Sequence, residues 1–96
     1  MIKISELTTG QGNVEIEVEI ISINEPREFE KFGKKLRVAD ARVKDDSGEI
    51  KMSFWNEDIN KVSVGKKIRI TNGYVSEFKG EKQLTTGKAG KFELLE

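Results

Sequence analysis

An all-β fold, in the form of a small closed Greek-key barrel, is predicted by three features of the sequence. Apolar residues alternate with charged or polar ones over residues 14–20 and 50–55, which is the period of a half-buried strand. Turn-forming residues separate strand segments at 45–48 and at 79–81. No segment has the length and period of a long helix. Ninety-six residues with 35% hydrophobic and 35% charged content fit a single core, so we expect residues 1–96 to form one compact domain.

Five strands account for most of the apolar residues. The first strand begins at Val14 and its apolar phase slips at Ile21, so we expect a bulge or a bend near its end. Pro26 and Gly33 bracket a charged segment that we expect to form a loop or a hairpin end. The predicted strands cover roughly residues 14–23, 36–44, 50–55, 64–78 and 82–86, with a closing strand or staple over 92–94.

The phase of the fourth strand depends on Gly73. If the strand stays regular, Tyr74 shares the inner face with Ile70. If Gly73 marks a bulge, Val75 turns inward while Tyr74 and Phe78 turn outward together. We favour the bulge.

A short helix is predicted between the third and fourth strands. Asn56 is its expected N-cap, and Glu57 and Asp58 follow at the positive end of the helix. Five strands with a helix in this position match an OB-fold, a five-stranded Greek-key barrel. An SH3-like barrel or a small sandwich has similar strand spacing and is the competing architecture.

The composition argues against an enzyme. The chain has no histidine and no cysteine, which removes the commonest general base, the commonest zinc ligand and thiolate metal sites. The adjacent carboxylates of Asp45 and Asp46 suit a turn, and no further ligands lie near them in the sequence. We therefore expect no catalytic site, no metal site and no cofactor.

Charge is distributed unevenly along a chain whose net charge is zero. Residues 1–23 and 45–60 are acidic, with net charges of −3 and −4, whereas residues 24–44 and 61–96 are basic, with +3 and +4. A fold that brings the two basic segments together would have one basic side and an acidic back, although an ordinary mixed surface is equally compatible. No stretch approaches the ~20 apolar residues of a bilayer span, so we expect an intracellular, cytoplasmic protein near the nucleoid, without membrane contact.

Trp55 is the only tryptophan, and the alternation places it opposite Ile50, Met52 and Phe54, on the face of Lys51. A large ring exposed beside a lysine suits a platform on which bases stack. The alternative is that Trp55 caps the end of the core or is exposed without a role, as single apolar residues often are.

Residues 48–55 end in Trp55, residues 64–70 begin with Val-Gly-Lys, and residues 72–80 have an aromatic-x-x-x-Phe-Lys-Gly ending. These three segments together closely resemble archaeal single-stranded-DNA-binding proteins with an OB-fold of the replication protein A type. The resemblance extends from about Ile4 to Leu94. It implies an OB-fold that binds single-stranded DNA, or RNA, in replication, recombination or repair, with replication or repair proteins as further partners.

The resemblance also implies which residues contact the nucleic acid. It identifies Trp55, Tyr74 and Phe78 as the rings on which bases stack, with Tyr74 standing where relatives often have tryptophan. Phe32 either folds over the ligand or packs against the barrel. The candidates for phosphate contacts are Lys51, Arg37, Lys79 and Lys82.

Two other functions remain open for the same fold. The barrel would serve mainly to bind protein if the chain were an interaction subunit of a replication protein A-like complex. It would bind RNA or tRNA if its groove did not discriminate against the 2′-OH. An oligosaccharide-binding OB domain is a more distant alternative.

Overall fold

The computed structural model of the protein describes residues 1–86 and 90–95. These residues form two short 3-10 helices, Ile4–Glu6 and Asn56–Lys61. They also form seven strands, which are β1 (Val14–Ile23), β2 (Arg27–Lys31), β3 (Lys34–Asp45), β4 (Gly48–Trp55), β5 (Lys67–Phe78), β6 (Glu81–Thr85) and β7 (Lys91–Leu94). In the part of the chain that is described, no helix is long and apolar enough to cross a membrane.

The sheet closes into a ring. Its strands follow the order β1-β3-β4-β6-β5, and β5 pairs back with β1. Every pairing in the ring is antiparallel except the one between β4 and β6. This is the predicted five-stranded Greek-key OB-fold, and the helix Asn56–Lys61 lies between the third and fourth strands of the ring, as expected.

β2 adds to the predicted strands, and β7 is the closing strand that was expected as one alternative over residues 92–94. β2 extends the hairpin arm of β3, and its five residues are all exposed. β7 pairs with the first half of β5. The segment between Pro26 and Gly33 was expected to be a loop or a hairpin end, and it forms the outer strand of a hairpin because β3 begins two residues earlier than predicted.

The core fills the inside of the ring with the apolar side chains that alternate inward along the strands. Ala39, Ala41 and Val43 of β3 are buried, as the pattern predicts. The bulge expected near the end of β1 is present as a register shift between Ile20 and Ser22. Burying this continuous apolar surface is the main source of stability for such a barrel.

The predicted bulge in β5 is confirmed, and it turns Tyr74 outward. Val14 pairs with Gly73 and Ile16 with Ile70, so β5 has one more residue than β1 between these pairs. Asn72 is the residue next to Gly73 with a left-handed backbone, at φ 60°. A Cβ on Gly73 would lie 3.0 Å from the Ile70 Cγ2 atom, which explains why glycine suits this position.

Asp45 fastens the N-terminal segment to the hairpin between β3 and β4. Its carboxylate accepts hydrogen bonds from the backbone N–H of Ile4 at 2.8 Å and from the N–H and hydroxyl of Ser47 at 2.7 and 2.6 Å. Burial acts to raise the pKa of Asp45, but the hydrogen bonds from Ser47, Ile4 and Gly48 favour the charged form and together lower the pKa below its ordinary value.

Candidate nucleic-acid interface

Trp55 lies on the outer face of β4, as the alternation predicts. Met52 and Phe54 are buried, whereas the side chain of Trp55 is 40% exposed. In the sheet, Trp55 is paired with Val38 of β3, and paired residues of antiparallel strands project to the same side. Val38 is buried, so the indole lies beside a covered apolar side chain on the outer side of the sheet.

Asn56 helps to end β4 at Trp55, but not in the predicted way. Its side-chain oxygen accepts a hydrogen bond from the backbone N–H of Arg37 at 3.0 Å, and its own φ is 53°. The N-cap residue of the helix is Trp55, which makes no side-chain capping bond. The predicted N-cap role of Asn56 is therefore wrong, because a contact with the neighbouring strand uses its side-chain oxygen.

Phe29 of β2 contacts Trp55, and the sequence did not assign it a role. The two ring centroids are 5.9 Å apart and the ring planes meet at 79°, an edge-to-face arrangement. The β2–β3 arm makes this contact possible, since Phe29 is paired with Leu36 and the next outward residue of β3, Val38, is paired with Trp55. The alternation of Glu28 and Glu30 around Phe29 was the signal in the sequence.

Tyr74 and Phe78 lie on the outer side of β5, on either side of Ser76. They are 45% and 58% exposed, whereas Val75 between them is fully buried. Tyr74 and Phe78 are four positions apart, which corresponds to about 13 Å along a strand. The N-terminal loop runs beside Tyr74, because Val75 exchanges backbone hydrogen bonds with Gly10 and Gln11.

The register of the strands places the rings on one surface. Lys51 of β4 is level with Gln83 of β6, which is in turn paired with Ser76 of β5. Trp55 lies four residues after Lys51 on β4, and Tyr74 lies two residues before Ser76 on β5. Because β4 runs parallel to β6 and β5 runs antiparallel to it, both rings lie toward the same end of the sheet. We call this surface the aromatic face and define it by its rings, which are Phe29, Trp55, Tyr74 and Phe78.

Two hairpin tips border the aromatic face. Phe32 and Gly33 form the turn between β2 and β3, and Lys79 and Gly80 form the turn between β5 and β6. All four residues have positive φ, as a two-residue type I′ turn requires. The Phe32 ring is 91% exposed, so it does not pack against the barrel in this structure. The other predicted position, in which the ring folds over a ligand, stays a prediction.

Lysines accompany the aromatic residues at both tips. The Lys79 Nζ atom lies 5.4 Å from the centre of the Phe78 ring, and the Lys31 Nζ atom lies 5.6 Å from that of Phe32. These distances are within the range of cation–π attraction. Each tip therefore presents a ring and a cation together.

The remaining predicted phosphate contacts are not all on the aromatic face. Lys51 is on it, next to Asp40. Arg37 precedes Val38 in β3 and so projects from the other side of that strand. Lys82 is in phase with the buried Leu84, and its ammonium group donates a hydrogen bond to the backbone carbonyl of Leu7 at 2.8 Å. A nucleic-acid contact by any of these three residues stays a prediction.

A Greek-key barrel with exposed rings on one outer surface, between two hairpin tips, defines an OB-fold of the nucleic-acid-binding type. Residues 9–94 match the model of the family described as single-stranded DNA binding protein Ssb-like, OB fold. The chain belongs to this family.

Named relatives agree with the family. The chain is 25% identical over 89 residues to the single-stranded DNA binding protein Ssb of Saccharolobus solfataricus, covering 93% of this chain and 60% of that protein. It is 33% identical over 72 residues to replication factor A of Methanothermobacter thermautotrophicus, covering 73% of this chain and 9% of the relative. The chain thus spans less than two thirds of the length of these relatives.

The fold is also similar to a solved structure of a related protein. The solution structure of the replication factor A related protein from Methanobacterium thermoautotrophicum matches with a TM-score of 0.82 and 28% identity. The match covers 100% of this chain and 91% of that one. The resemblance to replication protein A-type OB domains, predicted from three short segments, therefore holds over the whole barrel.

Proposed function

We propose that the protein binds single-stranded DNA on the aromatic face, and that it does so in replication, recombination or repair. The observation that supports this most strongly is the position of Trp55, Tyr74 and Phe78, three half-exposed rings on one outer surface of an OB-fold barrel. Membership of a family of single-stranded-DNA-binding proteins favours the same ligand.

Base stacking would supply most of the binding energy. Each base has a π-face, and stacking on an aromatic side chain contributes about 1–3 kcal/mol per base with little regard for sequence. Tyr74 and Phe78 are separated by about 13 Å along β5, so they would contact different bases of one strand. In duplex DNA the base faces are covered by neighbouring pairs, so the same rings would favour single strands.

Positive charge at the hairpin tips would hold the backbone of the strand. Lys79 is next to the Phe78 ring, and Lys31 is next to the Phe32 ring. A lysine beside a stacked base is well placed to contact the adjoining phosphate. The exposed Phe32 ring would then close over the strand from the β2–β3 tip.

A competition experiment tests this function. A fluorescently labelled oligo(dT) is bound to the protein and then displaced with unlabelled oligo(dT), a duplex of equal length, or a matched RNA oligomer. We expect the DNA single strand to compete and the duplex to compete much more weakly. The RNA arm separates DNA binding from RNA binding, because only contacts sensitive to the 2′-OH distinguish the two. No binding of the labelled oligo(dT), or competition by the duplex as strong as that of the single strand, would contradict the proposal.

A further inference from the structure

The positive charges on the aromatic face are paired with carboxylates. The Asp40 Oδ2 atom lies 3.2 Å from the Arg27 Nη2 atom and 4.0 Å from the Lys51 Nζ atom. The Ser53 hydroxyl donates a hydrogen bond to the other Asp40 oxygen at 3.4 Å. Asp40 is paired with Ser53 across β3 and β4, so it projects from the same side of the sheet as Trp55.

Arg42 forms a second group of ion pairs one step further along β3. Its guanidinium lies 3.5 Å from a Glu49 oxygen and 3.2 Å from a Glu81 oxygen. Glu81 is the residue paired with Phe78, so this group extends across the sheet to the far end of the aromatic face. The three cations near the middle of the face, Arg27, Lys51 and Arg42, therefore all have a carboxylate partner.

The hairpin tips differ from the middle of the face. Among residues 1–86 and 90–95, the ion pairs of 4.0 Å or less do not involve the tip lysines, which are Lys31, Lys34, Lys35 and Lys79. The tips can thus offer charge to a phosphate directly. In the middle, a phosphate would first have to displace a carboxylate of the protein.

We propose that Asp40, assisted by Glu49 and Glu81, restrains the contribution of charge to binding on the aromatic face. This rests on the proposed function. A cation that binds a phosphate gains affinity mainly by releasing counterions, so affinity falls as salt rises. A cation that is already paired with a carboxylate has fewer counterions to release, so its contact with a phosphate adds little affinity. Asp40 therefore sets how far single-strand binding depends on salt.

This arrangement also bears on which polymers the face rejects. A polyanion without accessible base faces, such as duplex DNA or polyphosphate, cannot stack on the rings and would bind this face mainly through charge. The carboxylates that pair with Arg27, Lys51 and Arg42 reduce the attraction of these cations for such ligands. The rings stay available for stacking. Specificity of this kind comes from withholding affinity from the wrong partner.

The substitution Asp40→Asn tests the role of Asp40 with little change of shape. The asparagine oxygen can still accept the Ser53 hydroxyl, while Arg27 and Lys51 lose their charged partner. Binding of labelled oligo(dT) is measured by fluorescence anisotropy from low to physiological salt, with inorganic polyphosphate as a competitor. We expect D40N to bind oligo(dT) roughly 3- to 10-fold more tightly at low salt, with a log–log salt slope steeper by about 0.7 for each additional phosphate that the protein neutralises. Polyphosphate should compete better with D40N than with the parent.

Glu17→Gln is the matched control. Glu17 binds Arg69 at 2.6 Å on the β1–β5 wall, so E17Q changes the net charge equally and also opens an ion pair, but away from the aromatic face. E17Q should keep the parent's salt slope. Combining D40N with Arg27→Gln should remove part of the D40N gain, because the freed Arg27 is one source of it.

The outcomes separate the two claims. The parent's binding of oligo(dT) tests the proposed function, and its absence would remove that function and this inference together. If the parent binds, the comparison with D40N tests Asp40 alone. An unchanged slope would overturn the inference, and so would weaker binding by D40N, which would indicate that Asp40 contacts bases. Glu81→Gln removes the shorter of the two ion pairs of Arg42 and leaves the one with Glu49. The double variant Glu49→Gln/Glu81→Gln removes both, so it should change the slope in the same direction and provides a second test if D40N folds poorly.

Discussion

The ring of Phe29 contacts the ring of Trp55 edge-on, with centroids 5.9 Å apart and planes at 79°. An edge-to-face pair leaves one face of a ring free while restricting its rotation. Phe29 belongs to β2, the strand that extends beyond the five-stranded ring. The β2–β3 arm therefore does more than connect strands, since it holds the indole on which we expect a base to stack.

Removing Phe29 should weaken binding without unfolding the barrel. Aromatic pairs contribute about 0.5–1.5 kcal/mol beyond the area they bury, so Phe29→Ala should reduce oligo(dT) affinity about 2- to 10-fold. The emission of Trp55 should also shift to longer wavelength, because the indole becomes more exposed to water. Emission spectra and anisotropy titrations measure the two effects, and an unchanged spectrum would show that Phe29 does not support Trp55.

Tyr74 should act through its ring and not through its hydroxyl. Tyr74→Ala should lose about 1–3 kcal/mol of binding free energy, whereas Tyr74→Phe should bind nearly as well as the parent. Val64→Ala is the control, because Val64 is an exposed apolar residue in the segment before β5. Equal losses in Y74A and V64A would exclude Tyr74 from the interface.

The bulge in β5 should depend on Gly73. A Cβ there would lie 3.0 Å from Ile70 Cγ2 and 3.4 Å from the carbonyl oxygens of Val14 and Thr85. We expect Gly73→Ala to lower the free energy of unfolding by about 1–3 kcal/mol, the usual effect of overpacking. Denaturant unfolding measures this loss.

Gly48→Ala provides the comparison for Gly73. Its added Cβ would meet only Ile4 Cγ2, at an ordinary distance of 3.9 Å. G48A should therefore be close to the parent in stability. If G73A were as stable as G48A, the close packing at the bulge would not be the reason for glycine.

Asp45 should make stability depend on pH. Because its pKa is lower in the folded state, the charged carboxylate stabilises the fold above its ordinary pKa of 3.8, and this contribution is lost as pH falls through the lowered value. At neutral pH, Asp45→Ala should cost about 1–2 kcal/mol of unfolding free energy, since it removes hydrogen bonds to Ile4 and Ser47. The difference from the parent should shrink in acid, below the ordinary pKa.

Asp46→Ala is the control for Asp45. Asp46 forms an exposed ion pair with Lys3 at 2.9 Å, and exposed pairs contribute about 0–1 kcal/mol. Denaturant unfolding at neutral and acid pH should therefore show a smaller effect for D46A. A pH-independent cost of D45A would contradict the role of the carboxylate charge.

Much of the fold was readable because one face of each ring strand is buried. The two-residue period placed Trp55 outside and Phe54 inside. Gly73 indicated the position of the bulge, which the register shift confirms. β2 was harder to recognise. It is fully exposed, so no buried face reveals it, and its pairing with β3 becomes visible only in three dimensions.

The predicted cations show where local reasoning from sequence ends. Arg37 is two positions from the buried Ala39, and Lys82 is two positions from the buried Leu84. The alternation therefore predicts that both cations project from the inner side of their strands, but it does not predict their hydrogen-bond partners. That Lys82 binds the carbonyl of Leu7, 75 positions away, depends on how the N-terminal segment crosses the barrel. The pairing of Arg27 and Lys51 through Asp40 likewise requires three strands side by side.

A titration of Trp55 fluorescence with oligo(dT) tests the central claim most directly. Trp55 is the chain's only tryptophan, so any change reports on the aromatic face. We expect saturable quenching by the single strand and little change with a duplex of equal length. An unchanged signal up to micromolar oligo(dT) would contradict base stacking on Trp55 and would favour a protein partner for this surface.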